Sequence, residues 1–166
     1  MVNSEKINRY EELLLQVRGL TDGETSQVSV LANVAAAIHA AMDFWWTGFY
    51  LVSGDQLILG PFQGPVACYR IKRGRGVCGS AWERGETLVV PDVEQFPGHI
   101  ACSSESRSEI VVPVLDSSSQ VCAVLDIDSR SLAAFDQTDA HYLGIIVQIV
   151  SDAVFTHSLA SQRPPV

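Results

Sequence analysis

Two pairs of β-prone runs, each joined by a short turn, limit most strongly the folds open to this chain. Residues 45–52 and 56–62 are separated by Ser-Gly-Asp, and residues 109–115 and 120–128 by a serine-rich turn. Turns of this kind between β-branched and aromatic runs predict two antiparallel hairpins. A chain with two such hairpins is expected to build one antiparallel sheet.

The segment between the hairpins is mixed. It predicts a third strand over residues 67–72, a short helix over 76–84 and a short strand over 87–90. Residues 92–106 carry proline and glycine and are expected to form a loop. Functional residues are concentrated in loops of this kind, so this segment is a candidate lid over a binding site.

Helical patterns flank the hairpins. Residues 4–20 are expected to form an N-terminal helix capped by Ser4, a second helix should follow Thr25 or Ser26 and run to about Met42, and residues 135–159 should form a long closing helix. The sequence therefore predicts an α+β fold, with a central antiparallel sheet and helices packed mainly on one face.

Length and charge narrow the class of protein. The 166 residues fit one domain, 1–166, with a core over about 24–158, which is large enough to need no disulfide or structural metal. The formal net charge of −8 argues against an extended surface that binds nucleic acid or an anionic membrane. The polar N-terminus has no signal-peptide pattern and the apolar stretches are short and interrupted, so we expect a cytoplasmic protein with no membrane span.

The four cysteines, Cys68, Cys78, Cys102 and Cys122, are candidates for chemistry. In a reducing compartment permanent disulfides are rare, so a catalytic or redox role is favoured over a structural one. Zinc-ligand spacings are lacking, and no metal is expected. Cys122 lies in a β-branched strand and is expected to be a small buried hydrophobe.

Charged groups stand near the other cysteines. Four basic residues between Cys68 and Cys78 could lower the pKa of a neighbouring thiol, or could simply form a solvated loop; they are Arg70, Lys72, Arg73 and Arg75. Glu109, Asp126 and Asp128 are placed on the strands of the second hairpin. Because strand side chains alternate, Asp126 and Asp128 should share a face, where burial and mutual repulsion would raise at least one pKa.

A series of motifs resembles the free methionine-(R)-sulfoxide reductases of the GAF superfamily across residues 8–156. The motifs are WTGFYL at 46–51, GPFQGP at 60–65, GVCG at 76–79, PDV at 91–93, PGHIAC at 97–102, SEIVVP at 108–113 and LDIDS at 125–129, together with Cys68. The resemblance implies a single GAF-like domain that reduces the free amino acid. One departure is Ser103, where the family more often has aspartate.

The resemblance also implies roles for the thiols. Cys102 would attack the sulfoxide sulfur and become a sulfenic acid, Cys68 would condense with it to a disulfide, and Cys78 would be a second thiol in the relay. A thioredoxin-type reductant would reopen the disulfide, so the cycle needs no cofactor. Because a sulfoxide is a poor electrophile until its oxygen is protonated, Glu109 or Asp128 would supply the acid.

Substrate contacts follow from the same resemblance. Trp46 and Tyr50 lie four residues apart on one strand face and would form the pocket wall around the S-methyl group. One of the three carboxylates, Glu109, Asp126 and Asp128, would hold the amino group. Backbone N–H groups near Ile100 and Ala101 would meet the substrate carboxylate. A homodimer is expected by analogy with other GAF domains.

Other functions remain open on the sequence. The chain could be a GAF sensor module that binds a small effector, or a redox sensor in which Cys68 and Cys102 form a regulatory disulfide without turnover. A Cys-His hydrolase built on Cys102 and His99 is disfavoured because no third orienting residue is recognisable. His39, His141 and His157 are expected on helix surfaces.

Overall fold

A computed structural model describes residues 3–100, 102 and 104–156 of the chain. The helices are α1 (Asn3–Thr21), α2 (Gln27–Met42), α3 (Gly76–Arg84) and α4 (Gln137–Val154), and a short 3-10 turn spans Val93–Gln95. The strands are β1 (Trp46–Ser53), β2 (Gln56–Gln63), β3 (Arg70–Lys72), β4 (Leu88–Val90), β5 (Ser108–Leu115) and β6 (Val121–Ser129).

The six strands form one sheet in the order β3-β2-β1-β6-β5-β4, with every neighbouring pair antiparallel. Both expected hairpins, β1–β2 and β5–β6, are present, and pairing of β1 with β6 joins them at the centre of the sheet. The prediction of an α+β fold with a central antiparallel sheet is therefore confirmed.

The two faces of the sheet carry different cores. On one face the three long helices α1, α2 and α4 bury an aliphatic core against Phe49, Ile110, Leu125 and Ile127. On the other face α3 packs over a smaller core that includes Trp46 and Tyr50. Because side chains alternate along a strand, each central strand contributes to both cores. The helices thus lie mainly on one face, and the thinner layer on the other leaves room for a cleft.

Local chemistry explains where the helices begin. Ser26 accepts the N–H of Ser29 and caps α2, as one of the two expected caps. Asp136 caps α4 through a reciprocal capping box with Asp139. Two boundaries were predicted wrongly: Ser4 lies inside α1, and α4 ends at Val154 because Phe155 leaves the helix, whereas residues 157–159 lie outside the described part of the chain.

Close approach of backbones requires glycine at Gly79. A Cβ at this position would lie 2.4 Å from the carbonyl oxygen of Lys72, which is nearer than real Cβ atoms come to other atoms. The N-terminal turn of α3 can therefore pack directly against the end of β3. This contact fixes Cys78, the preceding residue, at the floor of the cleft described below.

Candidate active site

A cleft opens between α3, the loop before β5 and the α3-side face of the sheet. Its empty volume, including the opening to solvent, is about 580 Å³. The described lining residues are Trp45, Trp46, Tyr50, Pro65, Val66, Ala67, Ile71, Arg75, Gly76, Val77, Cys78, His99, Ile100, Cys102, Ser106, Glu109, Asp126 and Asp128. The structure thus gathers most of the residues expected at the site around one space.

Three carboxyl side chains form the polar part of this cleft. Asp128 of β6 pairs in register with Trp46 of β1 on one side and with Glu109 of β5 on the other. Asp126, two residues earlier, points to the same face, as the strand alternation predicts. Glu109 is 7% exposed and Asp126 is 6% exposed. The sheet register therefore concentrates three acids in a largely dehydrated place.

Burial keeps protons on these acids. Desolvation raises the pKa of Glu109 well above its ordinary range, and the charges of Asp126 and Asp128 raise it further. Burial and the charge of Asp128 raise the pKa of Asp126 in the same direction. Burial raises the pKa of Asp128 to about 6, against the opposing effect of the Ser106 hydroxyl, which donates a hydrogen bond to Asp128. The site can therefore donate protons near neutral pH.

A disulfide joins Cys68 and Cys102, whose Cα atoms lie 5.4 Å apart. Cys102 is exposed at the mouth of the cleft, and Cys68 is half-buried. These two cysteines are separated by 34 residues in the chain and come from the segments before β3 and before β5. The fold can therefore bring a thiol pair to the entrance of the cleft that contains the acids.

Cys78 has a different environment. Its thiol is free and buried, and its Sγ donates towards Oε1 of Glu109 over 3.8 Å. Burial raises the pKa of Cys78 well above its ordinary value, and the charges of Asp126 and Glu109 add to this effect. The idea that the nearby basic cluster lowers the pKa of a neighbouring thiol is thus wrong for Cys78, because the thiol faces the acids.

The aromatic wall is built on β1. The rings of Trp46 and Tyr50 stack with centroids 6.1 Å apart, and Phe62 stacks on the outer side of Trp46. Gly48 makes this possible, because a Cβ there would lie 2.4 Å from the indole of Trp46. The indole N–H donates to the carbonyl oxygen of Pro65 over 2.9 Å. The wall is therefore anchored to the segment that leads to Cys68.

The loop before β5 forms the mouth of the cleft. Ile100 is 38% exposed and faces both the cleft and Gly76. His99 also lines the cleft, and partial burial lowers its pKa. Ala101 and Ser103 lie outside the described residues. The backbone contact expected at Ala101 and the effect of Ser103 therefore remain predictions.

Sequence analysis missed several residues of the cleft. Ser106 acts on Asp128 and Arg75 lines the cleft, although only its charge was noticed in the sequence. Cys78, Glu109 and Asp126 bring one potential metal-ligating atom each within 4.8 Å of one another. Because these three residues come from α3, β5 and β6, no local spacing motif in the sequence could reveal the group.

Features outside the cleft were also predicted. Cys122 is half-buried rather than fully buried, and its Sγ donates to the carbonyl oxygen of Val114 over 3.2 Å. Burial raises its pKa to about 12, which makes it a poor nucleophile.

Among the described helices, none combines the length and the apolar character that crossing a bilayer requires.

Comparison with known proteins identifies the family. The GAF domain model matches residues 22–154. A solved free methionine-R-sulfoxide reductase from Neisseria meningitidis, in complex with its substrate, is 53% identical and superposes with a TM-score of 0.87, with 89% of each chain covered. The "GAF domain-containing protein A" of Dictyostelium discoideum is 53% identical over 89% of this chain and 93% of its own length.

A further relative is named as an enzyme. The free methionine-R-sulfoxide reductase of Saccharomyces cerevisiae is 43% identical, over 90% of this chain and 87% of that protein. The resemblance seen in the motifs thus extends over nearly the whole chain and over the three-dimensional fold. The chain belongs to the GAF domain family and, within it, to the free methionine-R-sulfoxide reductases.

Proposed function

We propose that this chain reduces free methionine-(R)-sulfoxide to methionine with cysteine thiols as the electron source. The observation that carries the proposal is a Cys68–Cys102 disulfide beside a cleft that is lined by three carboxyl groups, of which Glu109 and Asp126 are buried. In its reduced form the thiol pair is a source of two electrons, and the carboxyl groups are a source of protons. Reduction of a sulfoxide to a thioether and water consumes two of each.

The substrate would lie with its S-methyl group against Trp46 and Tyr50. These rings give an apolar wall, and their polar ends are already bonded to the backbone, so the wall offers no unpaired polar group to the ligand. The ammonium group would face Asp126 or Glu109, whose burial makes a cationic partner favourable. The substrate carboxylate would meet backbone N–H groups near Ile100 and Ala101, with Arg75, which also lines the cleft, as a further partner.

The first chemical step would be attack of the Cys102 thiolate on the sulfoxide sulfur. Protonation of the sulfoxide oxygen by Glu109 or Asp128 would make the sulfur electrophilic. The oxygen then passes to Cys102, which becomes a sulfenic acid, and methionine leaves. The raised pKa of both carboxyls supports this role, because each keeps its proton to a higher pH than an ordinary carboxyl group does.

The second step would be condensation with Cys68. Its thiol attacks the sulfenic sulfur of Cys102, water leaves, and a disulfide forms between the two cysteines. Cys78 would be an alternative resolving thiol. A thioredoxin-type dithiol would then exchange with the disulfide and restore both thiols while it becomes a disulfide itself. We propose that the single domain, 1–166, carries out this cycle in the cytoplasm, as a homodimer.

Single-turnover measurements with purified variants test this proposal. One equivalent of free methionine-(R)-sulfoxide, given to the reduced protein without external reductant, should release one methionine and consume two thiols. A double variant, Cys68→Ser with Cys78→Ser, should release one methionine, consume one thiol and leave a dimedone-reactive sulfenic acid. Cys102→Ser should release none, and Cys122→Ser is the matched control that should behave as the unchanged protein.

The same measurement separates the proposal from its rivals. A GAF sensor would bind a ligand without releasing methionine, and a redox sensor would form the disulfide without consuming sulfoxide. Turnover of the R epimer, with the S epimer and a peptide-bound sulfoxide left unchanged, supports the proposed specificity. Loss of thiols without methionine release would overturn the enzyme assignment in favour of a redox sensor.

A further inference from the structure

Cys78 is a free, buried thiol that is not part of the Cys68–Cys102 disulfide. It lies on the first turn of α3 and faces the carboxyl groups of β5 and β6. Its Sγ and one carboxylate oxygen each from Glu109 and Asp126 lie within 4.8 Å of one another, and the Sγ–Oε1 distance to Glu109 is 3.8 Å. All three residues are buried.

Asp126 adds an independent observation. Its side chain is 6% exposed and lines the cleft, and its Oδ1 is buried without a hydrogen-bond partner among the residues that the structure describes. A buried carboxylate oxygen that lacks a donor is costly unless something binds it. The orphaned atom therefore indicates that the floor of the cleft is built to receive a positively charged or hydrogen-bond-donating group.

We propose that Cys78, Glu109 and Asp126 form a binding site for a borderline-soft divalent metal ion, of which Zn²⁺ is the prime example. One thiolate and two carboxylates are ligands that zinc accepts, and three protein ligands leave a fourth position open towards the cleft. Bonds of about 2.0 Å to oxygen and about 2.3 Å to sulfur put tetrahedral ligands about 3.3–3.5 Å apart. Because the three atoms lie within 4.8 Å of one another, the cluster needs to contract by about 1.5 Å or less to meet this geometry.

The sulfur ligand determines which ions fit. Mg²⁺ and Ca²⁺ prefer an all-oxygen shell and gain little from a thiolate, whereas Zn²⁺, Co²⁺ and Cd²⁺ bind sulfur well. Binding replaces the thiol proton of Cys78 and the protons that Glu109 and Asp126 hold by the metal, and these protons are released to solvent. The ion would occupy the place that the proposed function gives to the amino group of the substrate, so on that function Zn²⁺ would inhibit competitively.

Cobalt gives a direct test that needs no turnover. The full chain with its Cys68–Cys102 disulfide intact, verified by thiol counting, is titrated with Co²⁺ and the near-ultraviolet thiolate-to-cobalt absorption is recorded. We expect a band that saturates at one Co²⁺ per chain, is removed by Zn²⁺ and is unaffected by excess Mg²⁺. Cys78→Ser should abolish it, and Cys122→Ser, the other free cysteine, should retain it.

Two further measurements guard against misfolded variants. Asp126→Asn keeps the thiol and the volume, and should weaken Co²⁺ binding about tenfold or more. In the unaltered protein, Zn²⁺ should protect Cys78 but not Cys122 from alkylation, as read by peptide mass spectrometry. Absence of a band, a band that survives in Cys78→Ser, or equal alkylation with and without Zn²⁺ would overturn the metal site and would leave the proposed reductase function untouched.

Discussion

The phenol of Tyr50 donates a hydrogen bond to the backbone carbonyl oxygen of Cys68 over 3.0 Å. Tyr50 is 1% exposed and stacks on Trp46, so its position is fixed by the sheet. The bond therefore ties the segment that carries one sulfur of the disulfide to the wall of the cleft. Burial also raises the pKa of Tyr50, so the phenol keeps its proton throughout the physiological pH range.

Tyr50→Phe should slow formation of the disulfide. Loss of a hydrogen bond of about 1 kcal/mol lets the Cys68 segment sample more positions, so condensation with Cys102 should be about three- to tenfold slower. Release of methionine in the first turnover should change less than twofold, because the ring remains. Quenched-flow thiol counting measures the first rate and chromatography the second. Tyr142→Phe on α4 is the control, and equal thiol-loss rates in both variants would contradict the prediction.

Ser106→Ala should move the pH profile. The Ser106 hydroxyl donates to Asp128 and so favours the charged form of a carboxyl whose pKa burial raises to about 6. Without this bond the pKa should rise further, by about one unit for a loss of about 1.4 kcal/mol. If protonated Asp128 donates to the sulfoxide oxygen, activity that falls as pH rises through this pKa should persist to higher pH.

The measurement is kcat/KM between pH 5 and 9. Ser129→Ala, at the next residue after Asp128 in the chain, is the matched control and should leave the profile in place. Asp128→Asn should remove the ionisation from the profile. A Ser106→Ala profile that coincides with that of the unaltered protein, or moves to lower pH, would assign the proton donor to Glu109 instead.

The sequence predicted the elements of this site better than their assembly. Strand alternation predicted that Asp126 and Asp128 share one face of β6 and that Trp46 and Tyr50 share one face of β1, because period-two patterning is local information. All four side chains lie on the same face of the sheet only because β1 pairs with β6, across about 80 intervening residues. Turn chemistry defines hairpins but does not determine how two hairpins associate.

Burial was harder to predict than position. The basic cluster at 70–75 is close to Cys78 in the sequence, whereas Glu109 and Asp126 are close to it in space. Burial raises the pKa of the Cys78 thiol, and the charges of these two acids raise it further. Ser106 and Arg75 had no motif of their own, because each acts through a contact between distant segments. Long-range contacts of this kind require the register of the whole sheet.

Arg75→Gln should weaken substrate binding more than catalysis. Arg75 is the one lysine or arginine among the described residues that line the cleft, and its side chain is exposed. Loss of its contact with the substrate carboxylate should raise KM about three- to tenfold, with kcat changed less than twofold. Arg73→Gln is the control, because its guanidinium lies over Trp82 and outside the cleft. A fall in kcat with KM unchanged would argue against carboxylate binding.

Lys6→Met should destabilise the fold without a direct effect on the cleft. Lys6 of α1 forms an ion pair with Asp139 of α4, which is fully buried and also accepts the hydroxyl of Tyr10 over 2.7 Å. Without the ammonium group of Lys6, the buried carboxylate of Asp139 has no cation to offset the cost of removing its charge from water. We therefore expect a loss of about 2–4 kcal/mol in the free energy of unfolding. Arg9→Met removes the exposed pair with Glu5 and should cost less than about 0.5 kcal/mol. Urea unfolding of the two variants compares them, and equal losses would contradict the prediction.

Asp126→Asn should stabilise the protein at high pH while it impairs the site. The pKa of Asp126 is raised in the folded protein, so the folded state holds the proton more tightly than the unfolded chain does. The stability linked to this proton is fully present below the unfolded pKa of about 4 and is lost as pH rises through the folded pKa. Asparagine cannot ionise, so the variant should escape that loss.

Thermal unfolding at a low and a high pH separates this effect from ordinary packing changes. Near pH 4 the variant and the unaltered protein should melt at similar temperatures. At pH 8 the variant should be more stable by about 0.5–2 kcal/mol, or about 2–6 °C in Tm. Sulfoxide turnover at pH 8 should fall in the same variant. A stability difference that is equal at both pH values would show that Asp126 holds no extra proton, and a variant less stable at pH 8 would mean that a cation already neutralises Asp126 there.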